Sequence, residues 1–168
     1  QVPGNDLILV EQVEAPLPTY IVTTCRGRAF NLALGHLFAG IATNDNIIVH
    51  ELSFDENGFM IKLSHEVEIS LIPEIFKQGN SKDVLQKHMM ESQLFAKRFR
   101  EISSRSMLNP RRIGAEEVSP KQFQQRAAQI MQQHRQMDDS VLIRETMNEI
   151  LHADLDMAQL EIFINRMD

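Results

Sequence analysis

The chain has 168 residues, 17 Lys and Arg against 23 Asp and Glu, and a formal net charge of -6, with 43% apolar and 24% charged residues. That balance excludes the charge excess and apolar poverty of a disordered chain, and the length suits one domain, or one domain with a helical annex. The longest apolar run, "AFNLALGHLFAGIA", is interrupted and falls short of the roughly 18 residues a membrane span needs, so no membrane partner is expected.

From its first residues, "QVPGND", the chain shows neither an initiator Met nor a basic-then-apolar signal, which predicts a piece of a longer polypeptide. "LILVEQV" (7–13) and "TYIVTTC" (19–25) are β-branched runs separated by the prolines of "EAPLP", and they predict two strands. Next, "CRGRAFN" joins strand to helix through Gly27. This places Arg26 and Arg28 beside the free N–H groups of a helix start, where dipole, unpaired donors and guanidinium groups all attract anions. Phe30, Leu34, Leu37, Phe38 and Ile41 then repeat at helical spacing and predict a helix over 28–43. "NIIVHELSF" and "FMIKLS" flank "DENG", whose Asn-Gly pair signals an antiparallel hairpin.

Beyond about residue 70 the strand signals stop. A long helix is expected over about 82–107, with Val84, Leu85, Met89, Phe95, Ala96, Phe99, Ile102 and Met107 on one apolar face. "SPKQ" at 119–122 reads as a capping box with Pro at the first helical position, and Asp156 precedes a last apolar-periodic run. The expected fold class is therefore α+β: an antiparallel sheet over 1–69 crossed by the 28–43 helix, then a helical portion over 70–168.

The basic stretch "LFAKRFREISSRSMLNPRR" (94–112) stands out in this acidic chain. Lys97, Arg98, Arg100, Arg105, Arg111 and Arg112 face one acid, Glu101, a local charge of +5. A solvated helix flank, a neighbouring domain and a ligand are the three readings of that charge. The helix macrodipole accounts for Arg105 near a C-terminus more easily than for Arg111 and Arg112, which lie past it. Arg98 and Arg100 sit beside the apolar face, where anchoring to an internal carboxylate such as Glu145 is the structural alternative.

Nucleotide-binding P-loop, zinc-protease, C-x-x-C and serine-hydrolase signatures are absent. The six histidines lack metal-ligand spacing, so this chain is expected to hold no catalytic residue, cofactor or metal of its own. The lone Cys25 excludes an internal disulfide, fits a reducing cytoplasm, and reads as a small buried hydrophobe. With 6% aromatic residues and no Trp, a base-stacking platform is not expected.

"RGRAFNLALGHLFA", "GFMIKL", "ESQLFAKRFREISSRSMLNPRR", "PKQFQQRAAQIM" and "SVLIRETMNEILHADLDMAQLEIFI" together resemble the DEAD/H-associated domain of the large helicase-related (Lhr) family, in order over nearly the whole chain. Gly27, Asn31, Leu34 and Gly35 match the family's G-x-x-x-N-x-x-L-G, and Phe95, Arg98, Phe99 and Arg100 its F-x-x-R-F-R. Arg144, Glu145 and Asp156 match the helices that follow, whereas "SSRSMLNP" departs from the expected aliphatic run. The resemblance implies an accessory domain beside winged-helix and RecA-like motor domains, which would carry ATP and Mg. Its implied partner is single-stranded DNA, or RNA. Joined to the charge pattern, it makes Arg26, Arg28, Asn31, Arg98, Arg100, Arg105, Arg111 and Arg112 the expected nucleic-acid contacts, with backbone phosphate as their target. The alternative is a structural module that docks on those domains without touching nucleic acid.

Overall fold

The computed structural model describes residues 8–68, 81–114 and 116–166. Leu7 and the predicted sheet-to-helix boundary at 69/70 lie outside these residues. Strands β1 (Leu9–Val13), β2 (Thr19–Thr23), β3 (Val49–Phe54) and β4 (Gly58–Leu63) form an antiparallel sheet in the order β1-β2-β4-β3. Helix α1 (Arg28–Asn44) lies between β2 and β3 in the chain and packs on β3 and β4. This is the α+β arrangement expected, an antiparallel sheet followed by helices.

The period of two along each strand decides which side chains meet α1. Tyr20 pairs with Ile61 and Val22 with Phe59, and these four are buried with Leu63 on one face, while Ile21 is exposed. Phe30, Ala33, Leu34, Leu37 and Ile41 form one buried stripe of α1, each large side chain contributing roughly 1.5–3 kcal/mol. Helix and sheet approach closely because Gly35 has no side chain: a Cβ there would come 2.6 Å from Phe54 Cε1. The Tyr20 hydroxyl ties the segment after β4 to the sheet, donating to Val67 O at 2.9 Å and accepting from Val67 N at 2.7 Å.

The single helix expected over 82–107 is two helices, α2 (Ser81–Met90) and α3 (Gln93–Arg105). Ser92 accounts for the break: its hydroxyl accepts from Phe95 N at 3.1 Å and caps α3, a bond available only if the preceding turn ends. Met107 does not join the apolar face. It leaves α3 in the left-handed region (φ 60) and is 84% exposed. A two-residue ladder, β5 (Arg112–Ile113) with β6 (Glu116–Glu117), precedes α4 (Pro120–Arg135), whose Ser119–Gln122 capping box forms as expected. Helix α5 (Val141–Glu149) runs into a π-helical turn at Ile150–Asp154, and α6 (Met157–Asn165) starts at the Asp156 cap.

Two compact units result. One comprises the described residues up to His88 together with those from Asp154 on; the other is Met89–Ala153. In the first, α6 packs on α1, and Gly40 lets α2 approach α1 to van der Waals contact through Val84 and His88. In the second, α3 packs on α4 and α5 through Phe95, Phe99, Ile102, Ala127, Leu142 and Met147. Among the described residues no helix is long and apolar enough to cross a membrane.

Candidate nucleic-acid interface

In the first unit, the turn between β2 and α1 is bolted to the β3–β4 hairpin. Cys25 (φ 54) and Gly27 (φ 86) both take left-handed backbone, a conformation that suits Gly27 and costs Cys25. This exposes Cys25 rather than burying it, contrary to the sequence reading. Asn57 O accepts from Thr24 N at 2.8 Å and from Cys25 N at 2.9 Å. Asn31 is fully buried: its Oδ1 accepts a short hydrogen bond from the Thr24 hydroxyl, and its Nδ2 donates to Asp55 O at 3.0 Å. Both ends of that amide are taken up inside the fold.

The two arginines of the turn are held as well. Arg28 Nη1 donates to Phe54 O at 2.8 Å, and its backbone N–H reaches the Glu56 carboxylate at 3.3 Å. A carboxylate from the chain itself thus sits at the helix start, where the sequence suggested room for an external anion. The Arg26 guanidinium lies between two rings, 5.1 Å from the Phe30 centroid and 5.2 Å from that of Phe163, a cation–π arrangement that ties the turn to α6.

In the second unit the basic stretch divides into two kinds of arginine. Arg98 pairs with Glu101 at 2.8 Å along α3, and Arg105 with Glu149 at 2.5 Å. Glu145 is exposed and is not the partner of either residue beside the apolar face. Arg100 and Arg111 are of the second kind, forming no ion pair among the described residues. Together they line a groove of about 640 Å³ with Glu117, Val118, Ser119, Pro120, Phe123 and Gln124. Arg112 is exposed in β5, opposite Glu117.

Local sequence builds this groove. The chain leaves α3 through the left-handed Met107, and Asn109, 1% exposed, pins the exit segment: its N–H donates to Ser103 O at 2.9 Å and its Nδ2 to Phe123 O at 3.0 Å. Val118 N donates to Arg111 O at 2.9 Å, and the Arg111 guanidinium stands 5.5 Å from the Phe123 centroid. Sequence reasoning missed Asn109 and Phe123. A signal existed, because Val118 and Phe123 flank the capping box at the two positions of a hydrophobic staple.

Arg26, Arg28 and Asn31 therefore belong to the first unit, and Arg98, Arg100, Arg105, Arg111 and Arg112 to the second. The displaced titrations belong to the first unit. His36 is lowered to about 4, by burial first and by the charge of His88 second, and His88 is lowered by burial. Among the described residues no three His, Cys, Asp or Glu side chains stand together to hold a metal.

Comparison with known proteins places this architecture. The DEAD/H associated family model matches residues 2–168. The ATP-dependent helicase Lhr-Core protein 2 of Thermococcus barophilus is 27% identical over 98% of this chain, and the Lhr-Core helicase of Saccharolobus solfataricus 23% identical over 99%. The Mycobacterium smegmatis helicase Lhr, solved bound to ssDNA and AMP-PNP, has the same fold, with a TM-score of 0.80 at 23% identity over 99% of the chain. The chain spans only 20% of the length of each of the two curated relatives and 21% of the solved one. With the family model covering nearly every residue and the sheet, helices and spacing all in agreement, the chain belongs to the DEAD/H associated family.

Proposed function

We propose that this chain is the accessory domain of an Lhr-type ATP-dependent helicase, and that Arg100, Arg111 and Arg112 hold the sugar–phosphate backbone of single-stranded DNA or RNA. In this reading ATP and Mg act in RecA-like motor domains outside the chain, and a winged-helix domain is a further neighbour in the same polypeptide. The observation that carries the proposal is the groove in which Arg100 and Arg111 stand without a carboxylate partner among the described residues. Backbone contact needs only positive charge that a phosphate can reach, and it ignores sequence as a translocating helicase must. The net charge of -6 is no obstacle, since the field at the groove matters more than the sum.

The remaining arginines favour architecture in the same proposal. Arg26 between its rings, Arg28 on Phe54 O, Arg98 on Glu101 and Arg105 on Glu149 are engaged within the fold, and Asn31 holds the turn that positions Arg26 and Arg28. If every arginine acted this way, the chain would be a docking module. The two readings separate on replacing Arg111 and Arg112 with Ala in the full-length polypeptide and titrating single-stranded DNA across salt. Phosphate contact predicts weaker binding for every sequence and a slope of log affinity against log salt reduced by about 0.7 per contact. An unchanged slope with a lowered melting temperature establishes docking instead.

A further inference from the structure

Phosphate contact explains the two arginines of the groove but not its opposite character. Val118, Pro120 and Phe123 line it too, and a phosphate gains nothing from an apolar wall. We propose that the groove is a nucleobase subsite, in which one base of a single strand stacks on the Phe123 ring while its phosphate is held by Arg100 and Arg111. The inference rests on the nucleic-acid reading above and adds the part of the nucleotide that the charges leave unexplained.

Three observations carry it. Phe123 is half-buried, so its ring is anchored by the fold yet presents surface to the groove. Its position is fixed from behind, because its carbonyl accepts from the buried Asn109 side chain at 3.0 Å and it lies one turn inside the capped start of α4. The Arg111 guanidinium stands over the ring at 5.5 Å from its centroid, which puts the cation that would hold the phosphate within one nucleotide of the aromatic surface.

Volume and charge agree. About 640 Å³ is far more than a phosphate needs and falls within the roughly 300–1,000 Å³ of sites that enclose small organic groups. Glu117 repels a phosphate, so among the lining side chains the anion is left to Arg100 and Arg111 and the base to the Phe123 ring. Every base has a π face, so such a subsite accepts any sequence. It does require an unstacked base, which a single strand offers and a duplex does not.

The test compares binding of the full-length polypeptide to a base-bearing oligonucleotide and to an abasic strand of equal length and charge. Phe123→Ala is expected to weaken base-bearing strands about 5- to 150-fold, from the roughly 1–3 kcal/mol a stacked base contributes. Abasic strands should bind this variant as they bind the wild type, with the salt slope kept. Phe123→Leu guards against misfolding, since it keeps apolar bulk but loses the π face and should show the same selective loss, whereas Phe123→Tyr should restore binding. Equal weakening of both strands, or of neither, in the folded variants overturns the subsite. A salt slope unmoved by Arg111→Ala with Arg112→Ala overturns the underlying nucleic-acid reading, so the two failures are distinct.

Discussion

His36 on α1 and His88 on α2 face each other in the first unit with their Nδ1 atoms 3.4 Å apart. One ring can donate its Nδ1–H to the bare Nδ1 of the other, which requires that the accepting ring be neutral, so the two rings cannot both be imidazolium in this contact. Phe54 packs on His36 with centroids 5.1 Å apart, and Gly40, with no side chain of its own, leaves room for His88 Cβ to come close enough for the pair to meet.

Acid should therefore loosen the first unit. Unfolded, His36 takes its proton near 6.5; folded, only near 4. Between those values the unfolded chain binds more protons, so stability rises with pH across the window, is complete above about 6.5, and is progressively lost as pH falls toward 4. The loss from His36 alone is roughly 3 kcal/mol, and the lowered His88 adds in the same direction. Urea denaturation at pH 7.5, 6.5, 5.5 and 4.5 reads this directly. His36→Leu should flatten the curve, and wild-type and variant curves falling in parallel would refute the assignment.

Gly58→Ala should cost more than Gly35→Ala. A Cβ at Gly58 would stand 2.0 Å from Val22 O in the neighbouring strand, so only the β2–β4 pairing itself can give way. At Gly35 the obstacle is the Phe54 ring at 2.6 Å, backed by Phe59 at 3.2 Å, and a ring can shift. Overpacking of that kind costs about 1–3 kcal/mol. The order of the urea midpoints is the measurement, and a reversed order would disprove the packing argument.

Asn31→Ala should destabilise without changing how nucleic acid is bound. The substitution leaves the buried Thr24 hydroxyl and Asp55 O without their partner, a loss of about 1–3 kcal/mol. Differential scanning calorimetry should show the lowered transition, while the salt slope of single-strand binding stays that of the wild type. A smaller slope with unchanged stability would make Asn31 a contact residue.

Arg105→Ala is the surface control. Its side chain is 62% exposed in the pair with Glu149, and exposed pairs contribute at most about 1 kcal/mol. Both stability and salt slope should stay close to wild type, in contrast with Arg111→Ala. A slope reduced as much as by Arg111→Ala would extend the interface to this end of α3.

Where local chemistry settles the backbone, sequence alone determined the outcome. Asn57-Gly58 between apolar runs sets the β3–β4 hairpin, and Ser119, Pro120 and Gln122 set the start of α4, because each depends on neighbours a few residues away. The apolar face of 82–107 was legible but its continuity was not. Leu85 and Phe95 fall on one broad face of a helical projection, yet each is buried in a different unit, and Ser92 spends its hydroxyl on the break between them. The site divides along the same line. Composition and motif revealed the arginines, but which of them keep a free guanidinium depends on Glu101, Glu149, Phe54 and Phe163, three of them distant in sequence from the arginine they engage. Only the tertiary structure places Phe123 behind Arg111, since a carbonyl-to-amide bond to Asn109, fourteen residues away, brings them together.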